Sequence, residues 1–597
     1  MHTPLHPTQG QAARTTVGRF LATRLRQLGV DHVFGLPGDF NLGLIDEMLA
    51  ESGPEWVGST NELNAAYAAD GYARQRGFGA LVTTYGVGEL SAINGVAGSY
   101  AESVPVLQIT GAPETALVAR RALAHHTLID GDFGHFRRAY DEVTVAAESL
   151  TADDPAAQID RVLTAMVTNS RPGYLSIPAD LVDCSIPATA LCRPVQAPPS
   201  DPGALDAFRV AASRRLADAG DVTLLTGHLV SRQALHHRIA EVAAAGTATV
   251  AFTLGGRSTD GGGVYIGGLT PDAGVRSAVE GCDALILAGV VFSDITSGMF
   301  TQNIDPARAI VLDLTRARVG PDRFEHVRLG DAIDVIVDLL VPTVSTATGP
   351  WDRRRADHTA PSTRTTPTVR SATAQHRSWA LMNPAAPGPG TGPLTHDQLW
   401  GELEQWIPPG TTVLADAGTA YYGAVGMRLA PGCEVVGQPY WSSIGYTLPA
   451  LLGTELACPG SRPVLFIGDG AAQLTIQELA TILHRHLDVI VFVLNNGGYS
   501  IERQIRSPDA VYQDITAWDW TSMPTSLGQG DHGTILPVGS LRQLRLALAA
   551  TDVSRPGATL IELRLHRDDA PALLAAIAAG LQPAQGHQGR TDLARSA

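Results

Sequence analysis

Three times along this chain, short apolar runs the length of a buried strand alternate with stretches of helical periodicity. Strand–helix–strand alternation of this kind is satisfied by a mostly parallel sheet with helices on its faces, because parallel strands need long crossover connections. The first round spans 14–183. Within it, residues 31–36 read as a strand ending in the turn Gly35-Leu-Pro-Gly38, and 80–85 and 104–110 read as further buried strands. Residues 61–74 and 89–101 read as helices, the first with Leu63, Ala66 and Tyr67 on one face. The second round spans 200–342, with strands expected at 222–226, 247–252, 284–288 and 309–312, and the third spans 393–575. Residues 343–392 are poor in apolar side chains and rich in Thr, Pro, Ala and Arg, which reads as a flexible linker. A shorter linker is expected at 192–203, and loose tails at 1–13 and 580–597. With 597 residues the chain exceeds what one core supports, so the expected fold class is α/β, three α/β domains with mostly parallel sheets.

Composition removes several functions. A net charge of −16 argues against a general nucleic-acid or anionic-membrane surface, while leaving room for a small anionic substrate. All 43 basic residues are arginine. Without a lysine there is no Schiff base, so ordinary pyridoxal-phosphate and class I aldolase chemistry are excluded, as is a Walker-A phosphate site. The five cysteines are scattered, odd in number and lack a CxxC pair, which points to a reducing compartment and away from disulfides or a cysteine-rich zinc site. No apolar run approaches a membrane span and no signal-peptide core is present, so a cytoplasmic location is expected.

The densest chemical signal lies at 463–502. A strand at 464–467 ends in Gly468-Asp469-Gly470, a helix is expected over 474–487, and a second strand at 489–494 ends in Asn495-Asn496. A β-α-β unit brings the C-terminal ends of both strands to one sheet edge, so Asp469 and Asn496 are expected to converge. They offer hard oxygen ligands, with a backbone carbonyl near Gly498 as a third, a set suited to Mg²⁺ shared with a phosphate group. The glycines let backbone N–H groups approach a diphosphate.

This stretch resembles the thiamine-diphosphate fingerprint, and the chain over about 15–575 resembles the thiamine-diphosphate-dependent 2-keto acid decarboxylases acting on pyruvate, indolepyruvate, phenylpyruvate or branched-chain keto acids. The resemblance implies a first domain that binds the pyrimidine ring, a structural middle domain, and a third that binds diphosphate and Mg²⁺ through Asp469, Asn496 and Gly498. It also implies that Glu62, in Asn61-Glu-Leu-Asn64, protonates the aminopyrimidine of cofactor held by the other subunit, making a homodimer the minimal active unit and a dimer of dimers a further expectation. By the same resemblance Ile444 forces the cofactor into its bent form, the carbonyl of Ser442 meets the 4′-amino group, and Thr419, Gly470, Ala471 and Ile501 contact the cofactor. Asp39, His125, His126 and Glu502 resemble the family's acid/base set. A carboxylate–imidazole relay suits protonation of the enamine left by CO₂ and deprotonation of the hydroxyl that releases aldehyde. Acetolactate synthases and benzoylformate decarboxylases share the Gly-Asp-Gly and Asn-Asn motif but do not, as families, carry this acid/base combination.

The chain departs from its relatives at several places. Ala471 stands where Ser is frequent, Gly497 where Asp is, Arg506-Ser507-Pro508 where His-Gly-Pro is, and Ser442 where Gly is usual. Ala417 replaces a larger residue beside the site, and Tyr421 and Tyr422 stand where Phe is common. Together with Ile295 and Ile501 these are expected to line the substrate pocket, Tyr421 and Tyr422 supplying polar handles, and to favour a branched-chain or aryl pyruvate over pyruvate. The alternative chemistry is carboligation to an acyloin through the same intermediate.

Overall fold

The computed structural model describes residues 14–50, 52–257, 262–341, 392–528, 533–551 and 557–586. The linker expected at 343–392 falls almost wholly outside them, as does the tail at 1–13. Three six-stranded sheets organise what is described. In the first, the spatial order is Glu55–Gly58, His32–Gly35, Gly79–Thr84, Val106–Ala112, Gly173–Pro178, Ala146–Ser149, every neighbouring pair parallel. In the third it is Glu434–Val436, Thr412–Ala415, Val464–Gly468, Ile490–Asn495, Ala558–Arg564, Gly533–Val538, again all parallel. Numbered by chain order within each sheet, both read second, first, third, fourth, sixth, fifth. The order reverses between the first and third strands, the switch point where parallel α/β sheets bind ligands beyond their strand ends. The central strands Gly79–Thr84, Val106–Ala112 and Gly173–Pro178 are buried at every position, which is why they read as apolar runs rather than alternating patterns.

The middle sheet places Thr249–Phe252, Val222–Thr226, Ala284–Ala288 and Ala309–Leu312 side by side and parallel, then closes with the antiparallel strands Arg316–Val319 and Asp322–Glu325. That edge pair was not anticipated. Its register sets Arg318 opposite Arg323 and Arg316 opposite Glu325, so charge hides the alternation, and only Ala317 and Val319 are buried.

Helix Glu62–Arg76 is capped by Asn61, whose side chain accepts from the Asn64 amide, and ends at Gly77 with φ 83°. It crosses helix Thr447–Ala457 of the third unit almost backbone to backbone. A Cβ at Gly71 would lie 2.2 Å from the Ala450 carbonyl oxygen, and one at Gly453 would lie 1.9 Å from that of Ala68. Buried polar groups fix the crossing: Tyr446 donates to Asp70 at 2.6 Å, Arg74 pairs with the same carboxylate, and Glu478 accepts from Thr60 and Asn64.

Two expectations need correction. The helix expected at 474–487 is two, Asp469–Thr475 and Glu478–His484, the first starting directly at the strand end. The chain turns at Ile476 and Gln477 through short-range bonds (Leu479 N to Ile476 O, Ala480 N to Gln477 O), and restarts with Glu478 directed into its contact with Thr60. Residues 580–586 are not a loose tail. They belong to helix Ala572–Gly586, because Leu573, Leu574 and Ile577 are buried in the third unit's core and Leu581 packs on it.

Candidate active site

The strand end at the third sheet's switch point and the end of the strand beside it assemble a buried oxygen-rich cradle. Asp469 directly follows Val464–Gly468, and Asn496 directly follows the adjacent strand Ile490–Asn495, so parallel pairing brings them together as expected. The Asp469 carboxylate accepts from the amides of Gly470 (2.8 Å), Gly497 (2.7 Å) and Asn496 (3.1 Å). Burial pushes this carboxyl up to about 6, even against those three donors. Asn496 Oδ1 is buried and has no hydrogen-bond partner among the described residues. Gly498 has φ 148°, and a Cβ there would lie 2.1 Å from the Gln513 carbonyl oxygen, so only glycine fits. A Cβ at Gly470 would lie 2.7 Å from the Tyr499 ring, which explains the second glycine of the motif.

The neighbouring loops carry the other cofactor-contact candidates of the third unit. Thr419 opens helix Thr419–Gly426 after Gly418 at φ 116°. Ile444 sits in a turn between Ser442 (φ 55°) and Gly445 (φ 86°), half-buried against the core. The positive φ at Ser442 gives a physical reason for the glycine usual there. Here the serine hydroxyl donates to the Gln438 carbonyl at 3.1 Å, which offsets part of the strain. Ala471 is buried beside this turn, its carbonyl oxygen 3.1 Å from where a Cβ of Gly445 would be. A residue the sequence reading passed over fixes the turn. Asp416, fully buried after strand Thr412–Ala415, accepts from the amides of Gly445 (3.0 Å) and Thr447 (3.1 Å) and from the Thr447 hydroxyl (2.6 Å). Its signal was present as an acid directly following a buried parallel strand.

The first unit presents the proton-transfer candidates. His125 Nε2 and Asp39 Oδ2 are 2.6 Å apart, Phe40 stacks on the His125 ring at 4.8 Å, and the His126 ring lies edge-on to His125 at 4.6 Å. Ligand atoms of Asp39, His125 and His126 all lie within 4.8 Å of one another. His126 is held at φ 60°, its Nδ1 buried without a partner, while a Cβ at Gly86 would meet its carbonyl oxygen at 2.0 Å. That close approach requires glycine, and Gly86 is anchored by its own N–H to Glu89 Oε1 at 2.7 Å. Glu89 also accepts from Tyr174 (2.6 Å), and burial pushes its carboxyl up to about 7. Glu62, at the first turn of its helix, is half-buried with Oε1 against Gly88. Glu502, on helix Ser500–Ile505, is exposed. Among the described residues no hydrogen bond or ion pair joins Glu502, Asp469 or Asn496 to Asp39, Glu62, His125 or His126 within the chain.

The pocket candidates share one hydrophobic cluster: Tyr421 and Tyr422 are buried in it, with Ile295 and Ile501 packed against it. Ala417 lies in the turn just before, between Asp416 and Gly418. One expectation changes. The Tyr421 hydroxyl donates to the Leu254 carbonyl of the middle unit at 2.9 Å, so it is spent on clasping the two units and offers no free polar handle. Arg257 adds to that clasp, its guanidinium donating to carbonyls of Ala424, Val425 and Met427 at the end of the same helix. Tyr422 is buried in the same cluster, its ring edge-on to Tyr421 at 5.8 Å.

Residues 15–131 match the family described as thiamine pyrophosphate enzyme, N-terminal TPP binding domain, and 416–527 match the thiamine pyrophosphate enzyme, C-terminal TPP binding domain. Along nearly its whole length the chain is similar to proteins named alpha-keto-acid decarboxylase. It is 39% identical to that of Mycobacterium ulcerans (strain Agy99), over 95% of this chain and 96% of the relative. It is 39% identical to that of Mycobacterium leprae (strain TN), over 96% of each. It is 38% identical to that of Mycobacterium tuberculosis (strain ATCC 25618 / H37Rv), over 95% and 97%. Paired thiamine-diphosphate-binding units built on one strand order, and this likeness across the whole chain, make the protein a member of the thiamine-diphosphate-dependent 2-keto acid decarboxylase family.

Proposed function

We propose that the protein removes CO₂ from a 2-keto acid to give an aldehyde, using thiamine diphosphate and Mg²⁺, in active sites shared between two copies of the chain. The observation that carries the reading is the Asn496 side-chain oxygen, buried with no partner beside the buried carboxylate of Asp469. An orphaned acceptor next to a desolvated acid is costly unless a cation occupies the gap. The donors are hard oxygens, which favours Mg²⁺ over a softer metal, and Asp469, Asn496 and the Gly498 carbonyl would hold it. Gly470 leaves the backbone open to a diphosphate, and the alanine at 471 forgoes one hydroxyl contact there.

The cofactor, when bound, supplies an electron sink for the pair of electrons left by departing CO₂. The chain's own residues do the rest. Glu62 holds a proton against the far ring of the cofactor. Ile444 would support the cofactor from the turn it sits on, with Ser442 presenting its carbonyl and Thr419 and Ile501 flanking. Glu502 faces the substrate carboxylate, and the Asp39–His125 pair with His126 moves protons to carbon and from the product hydroxyl.

Two observations support a site shared between copies, and with it a homodimer or dimer of dimers. Among the described residues, the proton-transfer set and the metal cradle make no hydrogen bond or ion pair to each other within one chain. Large apolar side chains are also exposed around each: Val87, Leu90, Leu123, Leu128 and Ile129 beside the histidines, and Leu474, Val511 and Tyr512 beside the cradle. Apolar exposure of that kind marks an interface. Among the described residues no helix is long and apolar enough to cross a membrane, and the cysteines, all free, suit the cytoplasm.

For the substrate, Ala417 in place of bulk and the cluster of Ile295, Tyr422 and Ile501 favour a branched-chain or aryl pyruvate. Steady-state rates on pyruvate, 2-ketoisovalerate, 2-ketoisocaproate, phenylpyruvate and indolepyruvate test this, with products identified. A higher kcat/KM for the larger acids, with aldehyde as product, is expected. Preference for pyruvate would overturn the substrate assignment, and an acyloin as main product would replace decarboxylation by carboligation.

A further inference from the structure

We infer that Asp416, acting with Thr475, is the positioning residue that fixes Ile444 beneath the cofactor rings. The inference rests on the proposed role of Ile444 and concerns what holds that residue in place. Ile444 lies on a turn whose two ends have positive φ, Ser442 at 55° and Gly445 at 86°. Backbone in that region does not hold itself for most residues, so the conformation has to be imposed by neighbours. The neighbours are unusually complete. On one side the buried Asp416 carboxylate takes the amides of Gly445 and Thr447 and the Thr447 hydroxyl, bracketing Ile444 from its C-terminal side. On the other, the Thr475 hydroxyl donates to the Gly445 carbonyl at 2.7 Å. Thr475 ends the helix that Asp469 begins, and Asp416 ends the strand next to the one that delivers Asp469. The turn under Ile444 is therefore tied through both the N–H and the C=O of Gly445 to the elements that carry the metal cradle and Thr419. This buried acid with three donors on one short segment has no partner of opposite charge among the described residues, and it is placed where a displacement of Ile444 would matter most.

The role differs from catalysis, since Asp416 would touch neither substrate nor cofactor, and it differs from general folding support in what its loss should change. Asp416→Asn turns one acceptor into a donor facing a donor. A positioning role predicts that kcat falls roughly 10²-fold, the effect of about 1 Å of misplacement, while the dissociation constant of thiamine diphosphate with Mg²⁺, read by tryptophan fluorescence quenching, changes by less than about 5-fold, well under one tenfold step in affinity. It also predicts that exchange of the bound cofactor's C2 proton with deuterium, read by NMR after acid quench, slows in step with kcat. Ile444→Ala should reproduce this profile, and the double variant should be no worse than the poorer single one, because two residues serving one end do not add. Should Asp416→Asn fail to fold, Thr475→Val cuts the other tie without touching a charge and is judged by the same readouts. Additive losses in the double variant, or C2 exchange at the unaltered rate, would overturn the inference. Failure of the unaltered protein to bind cofactor would instead overturn the proposed function, so the two failures are distinguishable.

Discussion

The first and third sheets share one strand order and one sense, yet they present opposite environments at the same place. At the third sheet's switch point the strand ends carry Asp469 and Asp416, buried, with carboxyls raised by loss of water, and the next strand end adds the buried Asn496. At the first sheet's switch point the strand ends lead to Asp39 and to Gly86, which supports His126, and His125 and Asp39 are more than half exposed. One scaffold thus serves two environments: a buried oxygen-rich cradle, and an open set of titratable groups that the proposed shared site has a second copy cover. The topology fixes where chemistry can sit, and the loop residues decide which chemistry it is.

The largest effect should come from the open half. His126→Ala and Asp39→Asn should lower kcat by roughly 10²–10⁴-fold, the usual worth of a positioned acid or base, with cofactor affinity nearly unchanged. A large loss of cofactor affinity in either variant would erase the division between the halves. In the dry half, Asp469→Asn should weaken binding of Mg²⁺ with thiamine diphosphate by roughly 10²–10³-fold, as expected for breaking a buried charged contact of about 3–5 kcal/mol.

The smallest effect concerns the support under His126. Glu89 has its folded-state carboxyl raised to about 7 by burial. Between its ordinary value and about 7 the folded protein keeps a proton that the unfolded chain has lost, so this group's contribution favours folding at low pH and fades as pH rises through that window. Glu89→Gln should flatten the decline in stability between pH 5 and 7.5 by up to about 3 kcal/mol. An unaltered slope would mean that Glu89 is ionised across the range.

Much of this was legible in the chain because buried parallel strands are written as apolar runs and their ends as Gly, Asp and Asn. The convergence of Asp469 with Asn496 follows from β-α-β geometry alone, and the acid/base residues came through the resemblance. What escaped depended on contacts distant in sequence. The helix break at Ile476 and Gln477 accompanies Glu478 reaching Thr60, and Tyr421 was misjudged because its hydroxyl partner, Leu254, belongs to another unit. Asp416 looked like one polar residue in a turn, since its three donors lie about thirty positions away.

The shared-site account is tested most directly by subunit complementation. Glu62→Gln damages only the open half and Asp469→Asn only the dry half, so each variant alone should be nearly inactive. Unfolded together and refolded, or co-expressed with different tags, they should form mixed dimers in which one of two sites is intact, recovering about a quarter of parental activity under random pairing. A mixture shown to contain mixed dimers, yet no more active than its components, would contradict a site built from both copies.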